Sequence, residues 1–316
     1  MIPIPQYPIY SATLDLLGGK KVGYFLDERK CWDLNIKELE RSLEEAKKSG
    51  INVVGLVLIN PGNPTGQVLS RKTVQGVLKF CSKHRLVLLA DEVYQENVYD
   101  EQDEFYSAKR AAYDTGLLEN DEIELVSFHS TSKGVFGECG RRGGYMELVG
   151  IDPEIKDMLY KLASASLCST VSGQLMTSLM CRGPSPGDES YESHEAEKRA
   201  VFEGLKRRSK IVSGGLNKIP GFSCQPAQGA MYCFPSVKIP QAAVREAEEK
   251  GVAPDTMYAV SLLERTGICV VPASGFGQES GRHGFRTTFL PPEAEMERAV
   301  EMIRVHHDEF CKKYSQ

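Results

Sequence analysis

Hydrophobic positions in the first half of the chain follow two spacings, which predict strands alternating with helices. Residues 53–59 form an unbroken apolar run, typical of a strand buried on both faces of a parallel sheet. Residues 72–83 instead carry apolar side chains at every third or fourth position, the spacing of an amphipathic helix. Similar patterns predict further strands over residues 86–90, 123–128 and 144–149. This repetition predicts an α/β fold with a mostly parallel sheet covered by helices.

The second half of the chain has a different pattern. A proline- and glycine-rich stretch over residues 183–187 predicts a linker, and residues 188–216 predict one long, charged helix. Short strands mixed with helices are then predicted over residues 231–234, 268–271 and 284–290. We therefore expect a large domain over residues 1–185 and a smaller α+β C-terminal domain over residues 186–316.

Polar side chains follow three of the predicted strands. Each of these polar segments lies at the carboxyl end of an apolar run, and they begin at Asn60, at Asp91 and at Ser130. Parallel α/β sheets bind ligands in the crevice beyond the carboxyl ends of their strands. We therefore expect residues that are far apart in sequence to meet in one crevice.

Lys133 lies just past a predicted strand, behind Ser130 and Ser132 and ahead of several glycines and Arg142. A lysine in this position can form a Schiff base with an aldehyde, and the serines and the arginine can hold a phosphate. An aldehyde and a phosphate on one small molecule indicate pyridoxal 5′-phosphate (PLP). A solvated lysine in a glycine-rich loop explains this segment equally well, so other residues must decide.

Asn63, Asp91 and Tyr94 have the chemistry that the ring of this cofactor needs. Asp91 can form a charge-assisted bond to the ring N–H and keep that nitrogen protonated, which makes the ring a better electron sink. The Asn63 amide and the Tyr94 hydroxyl can reach the phenolic oxygen of the ring. The alternative is a plain proline–glycine turn at residues 60–66 and an exposed acid at a strand end.

Composition excludes several classes of function. The chain has 316 residues, of which 41% are hydrophobic and 26% charged, and its net charge is −5 with no long basic run. We therefore expect neither nucleic acid nor a membrane as a partner. The nine cysteines form no C-x-x-C pair, which predicts reduced, buried thiols in an intracellular, reducing compartment, cytoplasmic or mitochondrial. We expect Cys139 to be a packing residue, and His306 and His307 to lie on the surface without binding metal.

Six strings occur in one order, and together they resemble the class I and II aminotransferase family of fold type I PLP-dependent enzymes. Within this family the strings resemble those of the alanine aminotransferases and of the related glutamate:glyoxylate aminotransferases. The strings lie at residues 5–10, 60–67, 89–97, 127–145, 228–232 and 266–286.

The resemblance implies a role for each matching residue. Lys133 would bind the cofactor aldehyde and move the substrate α-proton, and Arg286 would clamp the substrate α-carboxylate. The remaining residues would bind the cofactor: Asp91 at the ring nitrogen, Asn63 and Tyr94 at the phenolic oxygen, Ser130, Arg142 and, less directly, Ser132 at the phosphate, and Tyr7 stacked on the ring. The implied reaction is amino transfer between an amino acid and a 2-oxo acid, with alanine and 2-oxoglutarate giving pyruvate and glutamate, in a homodimer.

The sequence departs from the family pattern in three ways. Family members carry a substantial portion ahead of the segment that contains Tyr7, so we expect Met1 to be a truncation point or a start inside the large domain. Ala273 replaces a usual glycine, and Val135 replaces a usual aromatic residue. The alternatives are a glutamate:glyoxylate aminotransferase, a catalytically incompetent fragment or PLP-fold module, and a β-eliminating or decarboxylating PLP enzyme.

Overall fold

A computed structural model describes residues 1–99, 104–120 and 122–315. The first part of the chain alternates strands and helices, as predicted. Its elements are β1 (Ile2–Ile4), α1 (Pro8–Leu16), β2 (Gly23–Phe25), α2 (Ile36–Lys48), β3 (Gly55–Ile59), α3 (Arg71–His84), β4 (Val87–Asp91), α4 (Ala108–Asp114), β5 (Leu125–Ser130), β6 (Gly144–Val149), α5 (Pro153–Ala163) and α6 (Val171–Cys181).

The central sheet has the strand order β3-β4-β5-β6. The first three strands are parallel, and β6 is antiparallel to β5, which confirms a mostly parallel sheet. The predicted strand over residues 144–149 has the observed bounds of β6. The prediction for β5 was two residues early, because this strand continues to Ser130 through its pairing with Gly144.

Both faces of β3 are covered, which explains its unbroken apolar sequence. Leu56 and Leu58 pack into a core with residues of α2, α3 and α4. Val57 and Ile59 face the other way and pack with Ile2 of β1 and with side chains of α1. Helix α1 and the segment before it therefore lie over the sheet face opposite α3.

The C-terminal part consists of α7 (Tyr191–Leu216), β7 (Phe222–Ser223), β8 (Tyr232–Cys233), β9 (Ser236–Val237), α8 (Gln241–Glu249), α9 (Pro254–Thr266), β10 (Val271–Pro272), β11 (Phe285–Thr288) and α10 (Glu293–Lys313). A small antiparallel sheet, in the order β10-β11-β8, packs with α7, α9 and α10 around a second core. The strands are shorter than predicted, and α7 begins at Tyr191 rather than at residue 188.

The prediction that His306 and His307 lie on the surface is wrong. Their exposed fractions are 2% and 3%. His306 Nε2 lies 3.0 Å from the Ser261 hydroxyl, and His307 Nδ1 lies 3.2 Å from the Tyr258 hydroxyl. Burial lowers the pKa of both imidazoles, that of His306 to about 4, because the charged form loses its hydration. The pair belongs to the packing between α9 and α10.

The nine cysteines are free, but burial holds for only part of them. Cys81, Cys224 and Cys233 are buried as predicted, whereas four thiols predicted to be buried are exposed. Those four are Cys139, Cys168, Cys181 and Cys269. The prediction of Cys139 as a packing residue is therefore wrong. Within residues 1–99, 104–120 and 122–315, no helix has the length and apolarity to cross a membrane, and no acid, histidine and cysteine cluster suits a metal ion.

Candidate active site

Three strand ends meet at one edge of the sheet. β3, β4 and β5 are parallel neighbours, so Asn60, Asp91 and Ser130 lie at their adjacent carboxyl ends. The Asn60 amide donates to the Asp91 carbonyl at 3.0 Å, and the Glu92 amide donates to the Phe128 carbonyl at 3.2 Å. The three strand ends therefore lie side by side at the edge of the sheet beyond which we expected the crevice.

Asp91 is a buried carboxylate at the end of β4, with an exposed fraction of 8%. The Tyr10 hydroxyl donates to Asp91 Oδ2 at 2.6 Å, and the Val93 amide lies 3.5 Å from Oδ1. Burial raises the pKa of the Asp91 carboxyl, against the opposing effects of the Tyr10 bond and of the charge on Lys133. Burial and the Asp91 charge together raise the pKa of Tyr10, so that hydroxyl keeps its proton and acts as the donor.

The loop that carries Lys133 is held by its own hydrogen bonds. The Ser132 amide donates to the Ser130 hydroxyl at 3.1 Å, and this hydroxyl donates to the Gly143 carbonyl at 3.3 Å. The Cys139 thiol donates to the Ser132 carbonyl at 3.0 Å. Lys133 itself is half-buried and lies near enough to Asp91 for its charge to lower the pKa of that carboxyl.

Arg142 lies at the end of a short 3-10 turn that closes the same loop. Its φ of 58° is left-handed, its side chain is exposed, and its Nη1 donates to the Cys139 carbonyl at 2.8 Å. Among the described residues, this guanidinium does not hydrogen-bond to Ser130 or Ser132. The three residues share one loop, but the structure does not bring them into a common contact.

Tyr94 lies three residues after Asp91 and is 1% exposed. Its hydroxyl oxygen is 2.7 Å from that of Tyr232, and the two rings meet edge to face at 5.8 Å. Burial raises the pKa of Tyr94, and the Tyr232 hydroxyl raises it further. Tyr94 is therefore protonated and bonded to a residue of the C-terminal part.

Arg286 joins the C-terminal part to the turn after β3. Its Nη1 donates to Asn63 Oδ1 at 3.0 Å. Because a guanidinium only donates, the amide oxygen of Asn63 must face it, and the amide nitrogen points the other way. The guanidinium carbon lies 4.4 Å from the Tyr232 ring and 4.9 Å from the Phe276 ring. Within the described residues, its buried Nε has no hydrogen-bond partner.

The turn over residues 60–66 packs directly against the segment that leads to Tyr232. The Gly66 carbonyl accepts from the Gly229 amide at 2.8 Å. Gly66 has a φ of +72°, and a Cβ on it would lie 3.0 Å from the Tyr232 carbonyl oxygen. A glycine is therefore needed at this contact, which places the Asn63 turn beside Tyr232.

Tyr7 precedes the first turn of α1 and is half-buried against Val57 and Ile59. Its ring centroid lies 6.5 Å from that of Tyr10, at an interplanar angle of 82°. The start of α1 therefore places Tyr7 next to Tyr10, the tyrosine that contacts Asp91.

Tyr10 and Tyr232 both touch predicted site residues, although the sequence predicted no role for either of them. Each ends one of the strings that carry the family resemblance, at residues 5–10 and 228–232. These strings were the available signal. The contacts themselves join residues 81 and 138 positions apart and were not visible in the sequence.

The chemistry of these side chains fits PLP. A buried carboxylate suits the ring N–H, protonated tyrosine and amide donors suit the phenolic oxygen, and a half-buried lysine suits the aldehyde. The unpartnered Nε of Arg286 leaves a donor for a substrate carboxylate.

The parallel strands, the lysine loop after β5 and the small C-terminal sheet together form the fold of the fold type I PLP-dependent transferases. The family model "Aminotransferase class I and II" matches residues 1–303. The chain belongs to this family.

Two curated relatives and one solved structure illustrate the similarity. The chain is 50% identical over 99% of its length to "Probable alanine aminotransferase, mitochondrial" of Dictyostelium discoideum, and 44% identical over its full length to "Glutamate--glyoxylate aminotransferase 2" of Arabidopsis thaliana. The solved alanine aminotransferase from Pyrococcus furiosus superposes with a TM-score of 0.78, at 27% identity over 98% of this chain and 70% of that chain. The chain spans 59% and 66% of the length of the two curated relatives.

Proposed function

We propose that this chain carries a PLP-dependent site that transfers an amino group between an amino acid and a 2-oxo acid. The observation that carries the proposal is the buried Asp91 carboxylate, bonded to Tyr10 and close to the charge of Lys133. When bound, PLP supplies an aldehyde that captures amines and a protonated ring that withdraws electrons. Asp91 is the residue that keeps the ring nitrogen protonated.

The other side chains bind, orient and move a proton. Asn63 and Tyr94 donate to the phenolic oxygen, and the bond from Arg286 to Asn63 turns the amide nitrogen toward that task. Arg286 binds the α-carboxylate of the amino acid through its remaining donors. Lys133 Nζ removes the proton from the substrate α-carbon, which needs a neutral amine beside that carbon.

The phosphate and ring contacts complete the proposed assignment. Ser130 and Arg142 hold the phosphate, with Ser132 contributing from the same loop, and Tyr7 stacks on the ring. For this role the Arg142 guanidinium leaves the Cys139 carbonyl, which is an exposed partner that water can replace. We divide the chain into a large domain over residues 1–185 and a C-terminal domain over 186–316, and the absence of a helix or strand over the described residues 182–190 supports this boundary.

We propose alanine and 2-oxoglutarate as the substrates, on the basis of the 50% identical relative named an alanine aminotransferase. Glyoxylate is the alternative amino acceptor, favoured by the 44% identical relative named for it. We also propose that the protein is a homodimer. Its free cysteines suit a reducing compartment, and we propose that this is the cytoplasm or the mitochondrion.

One spectroscopic and one kinetic experiment test the proposal. Protein with added PLP should gain a visible absorbance band from the lysine-bound cofactor, and Lys133→Ala should abolish it. Lys109→Ala is the control, because Lys109 is an exposed lysine paired with Glu147. A band that survives Lys133→Ala would overturn the assignment of the lysine. Rates with pyruvate and glyoxylate, with glutamate as the donor, then decide between the two acceptors.

A further inference from the structure

We propose that Tyr232 is a positioning residue that sets the direction of the Tyr94 hydroxyl and holds the Arg286 guanidinium in place. The inference rests on the proposed function, since that function gives Tyr94 and Arg286 their roles. Tyr232 lies in β8 with an exposed fraction of 5%. It pairs with Thr288 in β11, the strand that carries Arg286.

The first part of the inference concerns one proton. The Tyr94 and Tyr232 hydroxyls are 2.7 Å apart, so one of them donates to the other. A hydroxyl has a single proton to donate. If Tyr94 gave its proton to Tyr232, it would present only lone pairs to the cofactor phenolic oxygen, and the two would repel. Tyr232 therefore donates to Tyr94, which leaves the Tyr94 proton directed at that oxygen.

The second part concerns the ring of Tyr232. Its face lies 4.4 Å from the guanidinium carbon of Arg286, a distance at which the negative face of an aromatic ring attracts the cation. The hydrogen bond to Asn63 fixes one end of the same guanidinium. The ring and the amide together limit the positions that Arg286 can adopt before a carboxylate arrives.

The backbone of Tyr232 fixes the residue itself. Its carbonyl oxygen lies against Gly66, in the turn that contains Asn63, and its neighbour Ala230 donates from its amide to the Asn97 carbonyl at 3.0 Å. Tyr232 thus contacts the segment after β4, the segment after β3 and β11. Its hydroxyl serves the cofactor end of the site, and its ring serves the carboxylate end.

Two substitutions separate these two actions. Tyr232→Phe removes the hydroxyl and keeps the ring, whereas Tyr232→Leu removes both. A hydrogen bond donated to the phenolic oxygen favours its charged form, so losing the orientation of Tyr94 moves the pH midpoint of the bound-cofactor absorbance band upward. We expect Tyr232→Phe to shift that midpoint upward by about one pH unit, in the same direction as Tyr94→Phe. We expect Tyr232→Leu to raise the KM for the amino acid by about tenfold beyond the value for Tyr232→Phe.

Tyr258→Phe is the matched control, because Tyr258 is a buried tyrosine of the same core whose hydroxyl contacts His307 instead. It should lower the melting temperature like Tyr232→Phe and leave the midpoint unchanged. An unchanged midpoint in Tyr232→Phe, beside a shifted one in Tyr94→Phe, overturns the inference and leaves the proposed function standing. Absence of any lysine-bound band in the unsubstituted protein overturns the proposed function and the inference with it.

Discussion

Tyr10 donates a 2.6 Å hydrogen bond to Asp91, across 81 positions of sequence. The contact exists because α1 lies over the sheet face on which Asp91 ends β4. Tyr10→Phe keeps the ring and removes the donor, so the buried carboxylate loses its shortest hydrogen bond. The Tyr10 bond lowers the pKa of the Asp91 carboxyl, so its loss makes the carboxylate less ready to pair with the ring N–H. We expect PLP affinity to fall by about tenfold or more in a fluorescence titration.

The control for this substitution is Tyr24→Phe. Tyr24 is 1% exposed, and its hydroxyl donates to the Val57 carbonyl at 2.7 Å, so the change also removes one buried hydrogen bond. It should lower stability without altering PLP affinity. Equal losses of affinity in both variants would mean that Tyr10 acts on the fold rather than on Asp91.

Asp91→Asn separates stability from activity. Burial of the ionised carboxyl costs free energy, as the raised pKa of Asp91 indicates, and the amide oxygen of the substituted side chain can still accept from Tyr10. We expect the cofactor-free variant to be at least as stable as the unsubstituted protein in urea unfolding. Amino transfer should fall by about 100-fold or more, because a neutral amide does not hold the ring nitrogen protonated. A marked loss of stability would show that Asp91 serves the fold.

Local patterns predicted the central sheet well. The apolar run at β3 and the helical spacing at α3 (Arg71–His84) depend on period and burial, which neighbouring residues encode. The antiparallel direction of β6 was not predicted, because the hydrophobic pattern of a strand is the same in a parallel and in an antiparallel pair. The pairing of its residues with β5 decides the direction. The predicted strands at β8 and β11 were too long, because the apolar residues on either side of each observed strand lie in the core as loop.

The site divides in the same way between local and distant information. The polar residues at the strand ends predicted that Asp91 and Lys133 lie near each other. The register of β3, β4 and β5 places the ends of their strands at one edge of the sheet. The burial of His306 was missed because it depends on Ser261 and on packing between α9 and α10, 45 positions apart. Tyr232 was likewise missed because its partners lie in three distant segments.

Arg286→Lys tests the carboxylate clamp. Lysine cannot bond to Asn63 and to a carboxylate in the planar geometry of a guanidinium. We expect the KM for the amino acid to rise by about tenfold or more, with a smaller change in kcat. Steady-state kinetics with alanine measures both values.

Arg282→Lys is its matched control. Arg282 also lies against two aromatic rings, Trp32 at 4.7 Å and Phe234 at 4.8 Å, and it pairs with Glu28 at 2.7 Å. The change should lower the melting temperature and leave KM unaltered. A similar rise in KM in both variants would contradict a specific role for Arg286.

The titration of Glu92 should make the stability of the protein change near neutral pH. It is 7% exposed, and burial raises the pKa of its carboxyl from 4.5 to about 7, helped by the charges of Asp91 and Glu147 and opposed by the bond from the Ala108 amide. Because the folded chain holds this proton more tightly than the unfolded chain, the stabilisation is complete below pH 4.5 and is lost as pH rises through about 7. A shift of this size corresponds to about 3 kcal/mol.

Glu92→Gln should therefore be the more stable protein at pH 8, by up to about 3 kcal/mol, and should match the unsubstituted protein near pH 5. The amide oxygen of glutamine still accepts from the Ala108 amide, so this hydrogen bond at the start of α4 remains. Because the pKa values of His306 and His307 are lowered, both proteins lose stability on acidification. This loss is the same in the two proteins, so comparing them cancels it. Urea unfolding at both pH values measures the difference, with Glu45→Gln as the exposed control, because Glu45 pairs with Arg41 away from Glu92. A difference that does not change with pH would mean that Glu92 is ionised throughout this range in the folded protein.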